Sequence, residues 1–188
     1  MKRSILLALG LGFCLAAEAA DPITLGLNYP RTGSYKEEGL SQMRGALLAI
    51  EEINAKGGVL GRPLKLSSRN SASRPDKAVA NVDKLADEGV AMLFGGASSA
   101  VAIAAGKRAK ERGLLYFGTL TYSNDTTGKD AHRYMFRECN NAWMSAQVLG
   151  QYLNEPLPDK RYFYITSDYT WGHTSESSLR QATGTQDN

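Results

Sequence analysis

Gly95-Gly96-Ala97-Ser98-Ser99 places two hydroxyls directly after two glycines. If a strand ends and a helix begins there, free amides, the helix dipole and both hydroxyls converge on a carboxylate or another small polar ligand. Ser98 is equally placed to act only as a helix N-cap. Gly118-Thr119-Leu120-Thr121-Tyr122-Ser123 offers a second set of hydroxyls and free carbonyls, with a solvated polar turn as the bland alternative. Trp171, with Asp168 and Tyr169 beside it, is an aromatic suited either to stacking on a ligand or to packing between domains. Cys139 reads as an inert buried thiol near a junction marked by Asn140-Asn141.

Catalytic chemistry fits these stretches poorly. Gly96-Ala97-Ser98-Ser99-Ala100 approaches the nucleophile elbow G-x-S-x-G but ends in alanine. His132 and His173 are far apart, and His132 precedes a strand rather than ending one. The segment from Gly26 to Gly33 lacks the G-x-G-x-x-G dinucleotide pattern, and Gly128-Lys129 runs into Asp130 without the glycine a P-loop needs. Two separated histidines without cysteine partners argue against a metal site, and no cofactor is expected. The expectation is a binding protein rather than an enzyme, with a secreted hydrolase as the contrasting reading.

Loops of this kind must be carried by a scaffold. Ile23 to Asn28 reads as a buried first strand, and Leu40 to Lys56 as a helix with Met43, Leu47, Ile50 and Ile53 at helical spacing. Gly57-Gly58 stops that helix. Strands follow at 64–68, 90–94, 114–117 and 134–137, with helices opening at Pro75, at Ser98 and at Trp143 (143–153). A sixth strand is expected at 161–166 and a helix from Thr174. This alternation predicts an α/β fold, a parallel sheet with helices on both faces in three αβα layers. Such sheets bind ligands outside the carboxyl ends of their strands, which is where both hydroxyl-bearing loops fall.

The chain has 188 residues, 43% of them hydrophobic and 22% charged, with a formal charge of +3. Disordered and fibrous classes are excluded, and the charge is too small to argue for a nucleic-acid partner. Lys2 and Arg3 precede a leucine-rich apolar run, Ile5 to Ala17, and Ala17-Glu18-Ala19 has small residues where a signal peptidase reads. That run is too short to cross a bilayer of about 30 Å as a helix, so no membrane span is expected. Residues 1–19 therefore read as a secretory signal peptide. Their removal leaves Cys139 as the single cysteine, which suits a periplasmic location. Pro156-Leu157-Pro158-Asp159 marks a boundary, giving a lobe at 20–155 and the start of a second, truncated lobe at 156–188, since one strand and one helix cannot bury a core.

The pattern resembles a known family. Ile53-Asn54-Ala55-Lys56-Gly57-Gly58 followed by Gly61, Pro75 with Ala78-Val79, Phe94-Gly95 with Ser98-Ser99, the Gly118–Thr121 loop, Phe136-Arg137 and Tyr169–Gly172 occur in the order seen in the leucine/isoleucine/valine-binding class of periplasmic solute-binding proteins of ABC transporters. The resemblance implies two lobes closing on a small ligand and docking, as a monomer, on a membrane permease, in a chain about twice this length. It implies that Ser99 holds a ligand carboxylate by its amide and hydroxyl. It assigns a backbone carbonyl and a hydroxyl on the ligand's amino group to Thr119 and Thr121, an aromatic cover to Trp171, and pocket lining after the first strand to Tyr35 or Glu38. A sensor-coupled binding protein of the same fold is the alternative within the class. The chain departs from the pattern in having Ser73 and Ser98 where some members have a disulfide, and Asn70-Ser71 where an acidic pair is common. The implied ligand is thus a branched-chain amino acid, an amide or a small or aromatic carboxylate.

Overall fold

The computed structural model describes residues 21–155 and 161–187. The expected signal peptide and the Pro156–Asp159 boundary lie outside these residues. The elements are β1 (Ile23–Tyr29), α1 (Lys36–Ala55), β2 (Leu64–Asn70), α2 (Pro75–Asp87), β3 (Met92–Gly95), α3 (Ser99–Glu111), β4 (Tyr116–Gly118), a 3₁₀ turn (Asn124–Thr127), β5 (Met135–Arg137), α4 (Ala142–Asn154) and α5 (Thr170–Thr183). All strand pairs are parallel, in the order β2-β1-β3-β4-β5.

Period-two patterning explains the layers. Gly26, Leu93, Tyr116 and Met135 stand in register on one face, and α2 and α3 cover it. There Ala78, Val82, Leu85, Leu93, Val101, Ala102, Ala105 and Tyr116 form the core, each fully buried Val or Leu contributing about 1.5–3 kcal/mol. Gly26 is required at the centre, because a Cβ would stand 2.6 Å from Leu93. Leu27, Phe94, Phe117 and Phe136 point to the other face, where α1 covers the β1–β2 end. The three phenylalanines stack, with centroids 5.2 and 5.1 Å apart.

The glycine motif at the end of α1 acts through Asn54. Its amide donates to the Leu64 carbonyl at 2.9 Å and its carbonyl accepts from the Leu64 amide at 2.7 Å. This clamps the start of β2 to the end of α1. Gly58 sits at φ 77°, and a side chain there would collide with the Arg62 carbonyl.

Two expectations are corrected. Residues 161–166 form no strand among the described residues; Phe163 and Ile165 are 88% and 90% exposed. Their alternation is strand-like, but no ladder partner lies beside them among the described residues. The last helix opens at Thr170 rather than Thr174, so Trp171 lies in its first turn. α5 packs along α4. Ala142, Ala146 and Gly150, four residues apart, form the buried stripe of α4, and a Cβ on Gly150 would stand 2.5 Å from the Ala182 methyl. The helices approach closely because that stripe is small.

Candidate ligand-binding site

The chain leaves β1 towards β2 on one side and later enters β3 on the other, so β1 and β3 flank the point where strand order reverses. Loops at the carboxyl ends of such strands form a crevice. Here these are Pro30–Tyr35, Gly96–Ser98 and Thr119–Ser123. Gly95 (φ 143°) and Gly96 (φ 85°) turn the chain from β3 into α3. A side chain on Gly95 would strike the Asn28 carbonyl, and a Cβ on Gly96 would lie 2.7 Å from the Ala102 methyl.

Ser98 occupies the N-cap position of α3 in extended backbone, yet its side chain makes no capping bond. It is 7% exposed, and its hydroxyl has no hydrogen-bond partner among the described residues. The amides of Ser99, Ala100 and Val101 open the helix without intrahelical partners. This is a small cluster of donors at the positive end of a helix dipole. Ser99 is 2% exposed, and its hydroxyl accepts from the Ser123 amide at 3.0 Å. Its side chain therefore ties the two strand-end loops together.

Thr119 begins the loop after β4. Its hydroxyl accepts from the Gln42 side-chain amide at 2.7 Å and lies 3.5 Å from the Gly95 carbonyl. Gln42 and Thr119 form the polar end of an otherwise apolar cavity of about 390 Å³ beneath α1. The other Gln42 side-chain atom, Oε1, is buried without a partner. Thr121 is fully buried. Its hydroxyl is spent on Thr126 at 2.7 Å, and its backbone amide and carbonyl face the Cys139 sulfur at 3.4 and 3.5 Å. Its side chain supports the loop from behind.

Tyr35 stands at the start of α1, its amide donating to Ser73 Oγ at 3.0 Å. Its hydroxyl donates to the Tyr169 hydroxyl at 2.9 Å. Glu38 is exposed in the first turn of α1. Trp171 packs near Tyr169, ring centroids 6.1 Å apart. With Tyr122 and Asn140 it also lines a cavity of about 350 Å³ between the β4 loop and the α4–α5 pair. The structure thus gathers Ser98, Ser99 and Thr119 at the strand ends and links Tyr35 to Trp171 through Tyr169, while Thr121 is withdrawn. Gln42 and Tyr122 are additions. Gln42 could have been found as a polar residue next to the apolar row of α1, but nothing in the sequence pairs it with Thr119.

Burial dominates the electrostatics beside these loops. Burial raises the Tyr122 phenol, helped by Cys139 and Glu38. Burial likewise pushes the Cys139 thiol up, so it stays protonated at neutral pH. The Arg137 guanidinium, lowered by burial, donates to the Ser123 carbonyl at 2.9 Å and braces the same loop. Among the described residues neither serine hydroxyl meets a histidine. His132 Nδ1 accepts from the Tyr134 amide at 3.3 Å, and His173 sits 3.2 Å from Asp168. No described helix is long and apolar enough to cross a membrane.

Comparison with known proteins agrees with this fold. The chain is 30% identical over 166 residues to a Leu/Ile/Val-binding protein of Rhizobium johnstonii, covering 88% of this chain and 44% of that protein. It is 32% identical over 170 residues to the leucine-, isoleucine-, valine-, threonine- and alanine-binding protein of Pseudomonas aeruginosa, covering 90% and 45%. The chain thus spans about half the length of these relatives. Among solved structures, an amino acid ABC transporter substrate-binding protein of Pseudomonas fluorescens superposes with a TM-score of 0.78 at 26% identity, over 88% of this chain and 44% of that one. A solute-binding protein of Rhodopseudomonas palustris, solved with 3,4-dihydroxybenzoic acid, has the same fold, with a TM-score of 0.80 at 19% identity over 88% and 44% of the two chains. The model of the periplasmic binding protein family matches residues 22–187; the chain belongs to that family.

Proposed function

We propose that this chain is the ligand-gripping half of an extracytoplasmic solute-binding subunit of an ABC importer, and that it acts without catalysis. The observation that carries the reading is the unpaired Ser98 hydroxyl beside the free amides of α3, set at the reversal of strand order. That group suits a carboxylate. The names of the amino-acid-binding relatives support an amino acid, with branched-chain side chains foremost. In this reading Ser98, the Ser99 amide and the Thr119 loop hold the ligand. Tyr35 and Glu38 border it, and Trp171 covers it. Thr121 contributes through loop stability instead. The packing of α4 on α5 supports a lobe boundary at Cys139–Asn141, ahead of α4, rather than at Pro156. A signal peptide at 1–19, a periplasmic location, a monomeric state and a membrane permease as partner complete the proposal.

A thermal-shift screen tests it, using the protein extended to the length of its relatives. L-leucine, L-isoleucine and L-valine are compared with acetamide, 3,4-dihydroxybenzoate and glucose. A Tm increase with at least one amino acid is expected, because a ligand that binds only the folded state stabilises it. No shift with any amino acid overturns the amino-acid reading, and a shift with glucose alone overturns the carboxylate grip.

A further inference from the structure

Tyr35 and Tyr169 are 134 positions apart, and their hydroxyls meet at 2.9 Å. Tyr35 stands on a loop that is pinned from several sides. The Arg31 amide donates to Asn70 Oδ1 at 2.9 Å, Asn70 Nδ2 donates to Thr32 Oγ1 at 3.0 Å, and the Tyr35 amide donates to Ser73 Oγ at 3.0 Å. Gly33, at φ 93°, allows the loop to lie against Ala72, where a Cβ would come within 2.5 Å of a backbone oxygen. Tyr35 is thus a fixed post beside the carboxyl edge of the sheet.

Tyr169 heads α5, a helix without a side-chain cap of its own. The far side of that helix start is held by the β4 loop and the 3₁₀ turn. Thr170 Oγ1 donates to Asp125 Oδ2 at 2.8 Å, Thr174 Oγ1 donates to Ser123 Oγ at 3.2 Å, and Asn124 Nδ2 donates to Ser178 Oγ at 2.8 Å. These bonds locate the helix end but do not orient the aromatic rings. The Tyr169 ring lies tilted 41° to Trp171, and the polar group fixing its far end is Tyr35.

We propose that Tyr35 is a positioning residue: its hydrogen bond to Tyr169 sets the pose of Trp171 beside the loop that follows β4. The cover role rests on the ligand-binding reading above, whereas the positioning role does not. The Tyr35 proton is committed to Tyr169 and is not donated to a ligand, so Tyr35 acts through Tyr169 and Trp171.

The test uses the unliganded chain carrying Trp143→Phe, so that fluorescence reports Trp171. Tyr35→Phe, Tyr169→Phe and the double variant each lose one or two oxygens and no packing. Acrylamide quenching of Trp171 is expected to rise by up to about five-fold in either single variant and no further in the double, because both remove the same bond. Amide exchange in β1, β3 and α3 should stay unchanged. Unchanged quenching in the single variants, or effects that add in the double, overturns the proposal, as does faster exchange throughout the sheet. L-leucine titration of the same variants, extended to the relatives' length, separates the two readings. Raised quenching with no leucine binding by the parent leaves the positioning role standing and removes the amino-acid reading.

Discussion

The Ser99 hydroxyl accepts the backbone amide of Ser123 at 3.0 Å, so the loops after β3 and β4 are one mechanical unit. Ser98, its neighbour, is nearly as buried but has an unspent hydroxyl. Adjacent serines thus differ: Ser99 ties the two loops together, while in the proposed reading Ser98 is the one that meets the ligand. Ser99→Ala is expected to strand the buried Ser123 amide and cost about 1–3 kcal/mol of stability. Ser98→Ala removes no cap bond and should stay within about 0.5 kcal/mol of the parent. Urea denaturation of the two variants checks the contrast.

Asn54 makes both hydrogen bonds to the backbone of Leu64. Asn54→Ala frees both groups at the start of β2 and should destabilise by about 1–3 kcal/mol. Thermal unfolding measures it, and amide exchange should quicken first in β2.

Gly96→Ala places a Cβ at φ 85° and 2.7 Å from the Ala102 methyl. Backbone strain and overpacking act together there, and a loss of about 2–4 kcal/mol is expected. Gly57 also has positive φ, but no atom lies within 4 Å of its Cβ position. Gly57→Ala should therefore cost less, about 1 kcal/mol. Equal losses in the two variants would contradict this assignment of close approach.

Asp83 receives Arg108 and Arg112 across the α2–α3 layer, at 2.8 and 2.9 Å. The hydrogen bond from Arg108, opposed by desolvation and supported by Arg112, holds its carboxyl below the ordinary 3.8. A lowered folded value means the contribution is present above the unfolded value and is lost as pH falls through the folded one. The stability difference between the parent and Asp83→Asn should be constant from pH 7 to 5 and shrink below about pH 4. Denaturation midpoints across that range measure it.

Cys139 is a thiol held neutral by burial. Alkylation by iodoacetamide at pH 7.5 should be slower than for a free thiol, and its rate should go on rising with pH past the ordinary value of 9.0. Timed mass spectrometry of the intact chain reads it.

Much of the layered fold was legible because its signals are periodic. Ile50 and Ile53 line the cavity beneath α1, although Leu47, at the same helical spacing, is half exposed; Val82 and Leu85 mark the inner side of α2. Glycines and Pro75 mark the element ends. The strand-end loops followed from that alternation, which is why Ser98, Ser99 and Thr119 were nameable. What periodicity does not encode is which hydroxyl turns inward. Thr119 and Thr121 are alike in sequence, and only the partner Thr126 decides that Thr121 is internal. α5 opens at Thr170, four residues before Thr174, and no apolar period marks that start because Trp171, Gly172 and His173 carry none. Its start is fixed instead by Ser123 and Asp125 from a distant loop. Residues 161–166 have the pattern of a strand but lack a neighbour among the described residues, and a strand needs a ladder partner to exist.

In the proposed reading Ser98 and the α3 amides grip a small carboxylate at this edge. Isothermal titration of L-leucine into the protein at its relatives' length, parent against Ser98→Ala, tests it most directly. Binding by the parent is expected, with about ten-fold weaker binding by Ser98→Ala at equal stability. Equal affinity in the two proteins would contradict it.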